Sequence, residues 1–266
     1  MNLEVIRKGE RGDSAASPLL FVHGAWHGAW CWDAYFLDYF AGLGYECVAL
    51  SLRGHGGSPG GETMNRYRIA DYVTDVASVA ESLDAPPVVI GHSMGGLVTQ
   101  HYLARYPARA GVLLGSVPPF GVRKVVLKLL RQHPLRFLAA NLRLNLRLLV
   151  DSPDKARELF YSAGVSDADV ARYAEPLTSE SFLAFLDMVA GDLPRRGSVH
   201  PPLRVLGGEL DTIFPPADVR ATAVFYGTTA SIYADTAHNL MLEPRWQDVA
   251  DDVHAWIQGG FQAEAA

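Results

Sequence analysis

The stretch Pro86-Pro87-Val88-Val89-Ile90-Gly91-His92-Ser93-Met94-Gly95-Gly96-Leu97-Val98 decides how the rest of the chain is read. β-Branched residues at 88–90 predict a short buried strand, and the residues after Ser93 have helical spacing. The GxSxG at 91–95 therefore falls on a sharp strand-to-helix turn, the geometry of a nucleophile elbow. A serine on such a turn has a strained backbone, and glycines at 91, 95 and 96 leave room where other side chains would collide. The helix that begins there aims its first N–H groups at the serine, where negative charge develops in an acyl transfer. Ser93 is thus the candidate nucleophile.

Upstream, Leu3 to Arg7 alternates as a first strand, 9–17 reads as a polar turn, and Leu19-Leu20-Phe21-Val22 is apolar throughout, as in a strand buried on both faces. It runs into HGAWHGAWCW at 23–32, and a helix is predicted over 32–43, closed by Gly44. A strand over 45–50 ends in a glycine-rich loop at 51–61, and 69–83 carries helical spacing. The helix after Ser93 is predicted to reach about Tyr106, where Pro107 stops it, before a strand over 110–114. This alternation argues for a mostly parallel sheet with helices on both faces, whose ligands bind beyond the carboxyl ends of the strands.

Residues 117–192 break the pattern. They contain no convincing strand, only helical stretches punctuated by Pro134, Pro153, Gly164, Pro176 and Gly191. The expectation is a helical cap inserted into one α/β core formed by 1–116 and 193–266. The core resumes with a strand at 203–206, a helix over 217–225, a strand at 231–233 and a closing helix over 243–257. The tail from Gly259 to Ala266 is expected to fray.

With 266 residues, 49% hydrophobic and 20% charged, the chain has the composition of an ordinary globular protein of this size. A formal net charge of −6 argues against nucleic acid as a partner and leaves a small molecule as the expected ligand. Cys31 and Cys47 lie in no metal-ligand spacing, so both are read as reduced and buried, with no metal and no organic cofactor required. The first residues carry no secretory apolar region, and no window approaches the ~18 apolar residues that span a bilayer, which points to a cytoplasmic protein.

A serine hydroxyl needs a base, and the base needs a group that fixes its tautomer and steadies its charge. His238 lies directly after the last short strand, where it can turn back over the sheet edge toward Ser93, and Asp211 follows the preceding strand. Glu209 and Asp235 are the alternatives to Asp211 as the third member. His23 is read as shaping its loop, His55 as fixing a turn and His92 as packing beside the serine. Trp26 and His92 are the pocket candidates.

HGAW at 23–26, RGHGGS at 53–58, GHSMGG at 91–96, GELD at 208–211 and AHNLMLEP at 237–244 occur in one order. Together they resemble the α/β-hydrolase fold superfamily over essentially the whole chain. The resemblance implies a Ser93–Asp211–His238 triad and an oxyanion hole from the backbone N–H groups of Met94 and Ala25, with Trp26 the neighbouring alternative to Ala25. HGAWHGAWCW is also similar to the methylesterase and hydroxynitrile lyase branch. Those lyases carry lysine directly after the catalytic histidine, where Asn239 stands here, which speaks against cyanohydrin cleavage. Epoxide hydrolases and haloalkane dehalogenases on this fold use aspartate at the elbow, and Ser93 speaks against both.

The expected activity is hydrolysis of small to medium carboxylic esters through an acyl-enzyme. The alternatives are cleavage of a diketone carbon–carbon bond, a lactone or a thioester by the same triad, or a ligand-binding receptor on the same fold. Residues 117–150 carry seven basic side chains and no acidic one. Leu and Val alternate with Lys124, Lys128 and Arg131 there, as in a solvated amphipathic helix covering an apolar pocket, or as in a surface that meets anionic lipid or an anionic substrate.

Overall fold

The computed structural model describes residues 2–10 and 16–262. Seven strands form one sheet in the order β1-β3-β2-β4-β5-β6-β7, with β1 at Val5–Lys8, β2 at Leu19–Val22, β3 at Cys47–Leu50, β4 at Val88–His92, β5 at Ala110–Leu114, β6 at Leu203–Gly208 and β7 at Ala230–Tyr233. All pairings are parallel except that of β1 with β3. The fully apolar runs divide by parity, as a strand period of two requires. Leu19 and Phe21 face one core together with Val88, Ile90, Val112 and Leu114, while Leu20 and Val22 face the other with Val89, Leu113 and Val205.

Helices cover both faces. The first core takes side chains from α2 (Phe36–Gly42) and α11 (Trp246–Gln258), the second from α3 (Ile69–Ala80), α4 (Met94–Leu103) and α10 (Pro216–Tyr226). The single helix expected over 32–43 is two, α1 (Trp30–Asp33) and α2, because Tyr35 between them has ψ −49° at φ −151°, outside the helical region. The elbow helix also ends sooner than expected, at Leu103, and a 3₁₀ turn at Gly61–Arg66 follows the glycine-rich loop from its last residue.

Between β5 and β6 the structure has no strand. It has α5 (Arg123–Gln132), α6 (Pro134–Leu142), a 3₁₀ turn at Leu146–Leu149, α7 (Pro153–Phe160), α8 (Asp167–Ala174) and α9 (Phe182–Ala190). Pro134 and Pro153 open helices rather than interrupting them, since proline at the first position loses no hydrogen bond. Ser152, Ser166 and Ser181 cap α7, α8 and α9 by accepting from the backbone N–H three residues on.

The polar turn expected at 9–17 lies partly outside the described residues, as do the last four residues of the tail. Before its last four residues, Phe261 of that tail packs its ring against Trp256 at 5.1 Å between centroids and lies under Arg109. Cys31 and Cys47 are free and buried. Among the described residues no helix is long and apolar enough to cross a membrane.

Candidate active site

Ser93 ends the central strand β4 and caps α4 with φ 53° and ψ −118°, a conformation costing about 1–3 kcal/mol for a residue with a side chain. Neighbours fix it there. Its N–H donates to Leu114 O at 3.0 Å, and its carbonyl accepts from Gly96 N at 3.0 Å and from Val117 N at 3.0 Å. The turn also needs close backbone approach. A Cβ on Gly95 would strike His23 O, and one on Gly24 would come within 2.9 Å of Ser93 Cβ. The HGAW loop and the elbow are therefore in direct contact, with the α4 N-terminus, Met94 N–H first, beside the serine.

His238 and Asp211 meet on the same edge. His238 Nδ1 donates to Asp211 Oδ2 at 2.8 Å, and Asp211 Oδ1 accepts from Ile213 N at 2.8 Å and Phe214 N at 2.9 Å. Both side chains are almost wholly buried. A proton on Nδ1 directed at the carboxylate leaves Nε2 as the bare ring nitrogen, the tautomer a general base requires. Glu209 accepts instead from Asp235 N, on the exposed side of the loop, and neither carboxylate reaches His238. The His238 ring lies 4.7 Å from that of His92, the residue before Ser93, and is flanked by Phe214 and Phe160 at 5.6 and 6.1 Å. The Ser93 hydroxyl has no protein hydrogen-bond partner among the described residues and keeps a 9% exposed edge. Hydrogen bonds of this kind are commonly loose before substrate closes the site.

Three further histidines build the floor, each neutral because burial, chiefly, penalises the charged ring. His23 donates through Nδ1 to Gly24 O and accepts Leu52 N at Nε2. His92 donates through Nε2 to His238 O at 3.0 Å. His27 donates through Nδ1 to Ala25 O at 2.7 Å and accepts from Asn239 Nδ2 at 3.0 Å. Burial and the neighbouring imidazoles hold His23 and His92 well below the ordinary histidine value, and lower His27 to about 4.

The His27–Asn239 contact also fixes the backbone of the HGAW loop. Ala25 C=O and Trp26 N–H belong to one trans peptide and point in opposite directions, so a clamp on the carbonyl aims the N–H. Trp26 itself stands at φ 67°, and neither Ala25 N–H nor Trp26 N–H has a protein acceptor among the described residues. Asn239 was visible in the sequence only as the position where a lysine is missing, and His27 only as the second histidine of a local repeat. Their pairing spans 212 positions, and no local pattern announces it.

The helical insertion closes over this edge. Trp26 donates its indole N–H to Leu146 O at 3.2 Å, Thr178 N–H donates to Trp26 O, and Asn239 N–H donates to Phe160 O. Trp26 is therefore a strut between loop and insertion, with one ring face against Phe160 at 5.8 Å. His55 does more than fix its turn. Its Nε2 meets Glu180 Oε2 at 3.0 Å, and Tyr72 donates to the other carboxylate oxygen at 2.8 Å, all three side chains being buried. A cleft of about 190 Å³ between α5, α7 and the Thr212–Ile213 loop is lined by Val125, Lys128, Leu129, Gln132, His133, Glu158, Leu159, Thr212 and Ile213, next to the Asp211 turn. Among the described residues no cluster of three or more His, Cys, Asp or Glu side chains is poised to hold a metal ion.

Residues 19–252 match the model of the alpha/beta hydrolase family. A monoacylglycerol lipase of Mycolicibacterium smegmatis is 26% identical over 82% of this chain and 80% of its own. A bifunctional esterase/perhydrolase of Acinetobacter calcoaceticus is 37% identical, but the match spans only 40% of each chain. The solved monoacylglycerol lipase of Paleococcus ferrophilus superposes with a TM-score of 0.72 over 98% of this chain and all of that one, at 20% identity, a likeness of fold alone. A match over nearly the whole length, on a sheet whose central strand delivers a strained serine to the edge where Asp211 holds His238, means that this chain belongs to the alpha/beta hydrolase family.

Proposed function

We propose that the chain hydrolyses carboxylic esters of small to medium size, with Ser93 as nucleophile, His238 as general base and then acid, and Asp211 as the group that orients His238. The observation that carries this reading is the 2.8 Å contact of His238 Nδ1 with a carboxylate whose other oxygen is held by two backbone N–H groups. That arrangement fixes one tautomer and steadies an imidazolium without moving. Ser93 Oγ attacks the ester carbonyl as His238 Nε2 takes its proton. The oxyanion faces the N–H groups of Met94, at the positive end of α4, and of Ala25, with Trp26 the neighbouring donor. His238 passes the proton to the leaving alkoxide, the acyl-enzyme forms, and water activated by His238 releases the acid. The monoacylglycerol lipase and esterase relatives support an ester as the substrate class. The test is turnover of p-nitrophenyl butyrate. Ser93→Ala is expected to lower kcat by at least about a thousandfold with the far-UV circular dichroism unchanged. Unchanged turnover would overturn the proposal.

A further inference from the structure

Of the eleven large hydrophobic side chains exposed among the described residues, seven lie between Phe120 and Leu144. Isolated exposed leucines are ordinary, but this many within so short a stretch of chain are not. On α6, Leu135, Leu138 and Leu142 are 81%, 53% and 76% exposed and fall at i, i+3 and i+7, one face of a helix. Leu127 and Leu130 do the same on the adjoining α5, whose opposite side sends Leu129 into the interior. On α6 this is the reverse of a solvated amphipathic helix, whose outward face would be charged, while on α5 the exposed leucines stand among exposed Arg123, Lys124, Lys128 and Arg131.

The charge around the leucines has one sign. The chain carries −6 overall, yet residues 117–150 hold seven basic groups and no acid. Lys124 and Arg136 are matched by Asp218 and Glu158 from other elements. Arg131 and Arg143 are exposed, and their guanidinium groups have no partner among the described residues.

We propose that the outward face of α5 and α6 docks on the surface of an anionic bilayer, with the leucines in the headgroup–acyl boundary and Arg131 and Arg143 at lipid phosphates. Like-signed charge argues against a second copy, since a two-fold contact through this face would oppose basic to basic. The same helix α5 carries Lys128, whose ammonium donates to Thr212 O one residue beyond Asp211, so the docking face adjoins the site without including it. Docking does not depend on the role given to Ser93.

Sedimentation with vesicles tests this. The full chain should pellet with an equimolar phosphatidylcholine–phosphatidylglycerol mixture at low salt, and at least about tenfold less with phosphatidylcholine alone or at high salt. Leu135→Ser with Leu142→Ser should weaken binding by about tenfold or more, and Arg131→Glu with Arg143→Glu likewise, with unaltered melting temperatures because all four side chains are exposed. Absence of binding to the anionic vesicles would overturn the proposal, as would binding that neither pair of substitutions reduces. A dimer by light scattering that the leucine substitutions dissolve would reassign the face to a second copy. Binding to soluble polyglutamate but not to vesicles would reassign it to an acidic polypeptide.

Discussion

At the scale of single residues, Asn239 is the informative position beyond the three proposed catalytic groups. Its amide N–H reaches His27, and His27 holds Ala25 O, so in the proposed mechanism Asn239 sets the direction of the neighbouring donor, Trp26 N–H, without touching substrate. Asn239→Ala is expected to lower kcat for p-nitrophenyl butyrate by about tenfold to a hundredfold with a smaller change in KM, the effect of a misaimed donor rather than a lost binding contact. An equal rise in KM at constant kcat would contradict that role. The strained serine was legible from GHSMGG because the strand before it and the helix after it are local patterns. The loops bearing Asp211 and His238 were legible as positions after strands. The Asn239–His27 clamp was not, because it is a contact between distant segments with no local periodicity.

At the scale of elements, the buried His55–Glu180–Tyr72 group joins the loop after β3 and helix α3 to the start of α9. Glu180→Ala would leave His55 buried without its counter-charge, and is expected to destabilise the fold by about 3 kcal/mol in urea unfolding at neutral pH. A loss below about 1 kcal/mol would mean the pair contributes little. Burial opposes charge on His55, but the Glu180 carboxylate outweighs it and raises the histidine above its ordinary value near 6.5. The stability from this pair is therefore complete below that value and fades as pH rises through the raised one. In sequence His55 reads as a turn residue, since Glu180 lies 125 positions away. Helix breaks were equally hidden. Tyr35 divides α1 from α2 by its backbone angles alone, while the roles of Pro134 and Pro153 depend on which side of each proline the helix forms.

For the whole molecule, the buried neutral histidines set an acid limit. His23, His27 and His92 are all depressed, so the unfolded chain binds protons from about pH 6.5 downward that the folded chain refuses. Stability is expected to fall steeply from pH 6.5 toward pH 5, with proton uptake on unfolding approaching three from these residues, measured by the pH dependence of urea midpoints and m-values. Uptake below one proton would show that the histidines titrate normally in the fold. The parallel sheet and the helical segment between its strands were legible because apolar runs and helical spacing are properties of short windows. The outward turn of the α6 leucines was not, because spacing alone gives the same stripe to a buried face and an exposed one. In the proposed mechanism a strained Ser93, aimed by its sheet and served by His238, is the group that attacks. A fluorophosphonate probe on the intact protein, followed by peptide mass mapping, tests it most directly. One adduct is expected, on Ser93, whose formation slows when His238 is replaced by alanine. An adduct on another residue, or ester turnover by a protein whose Ser93 stays unlabelled, would contradict it.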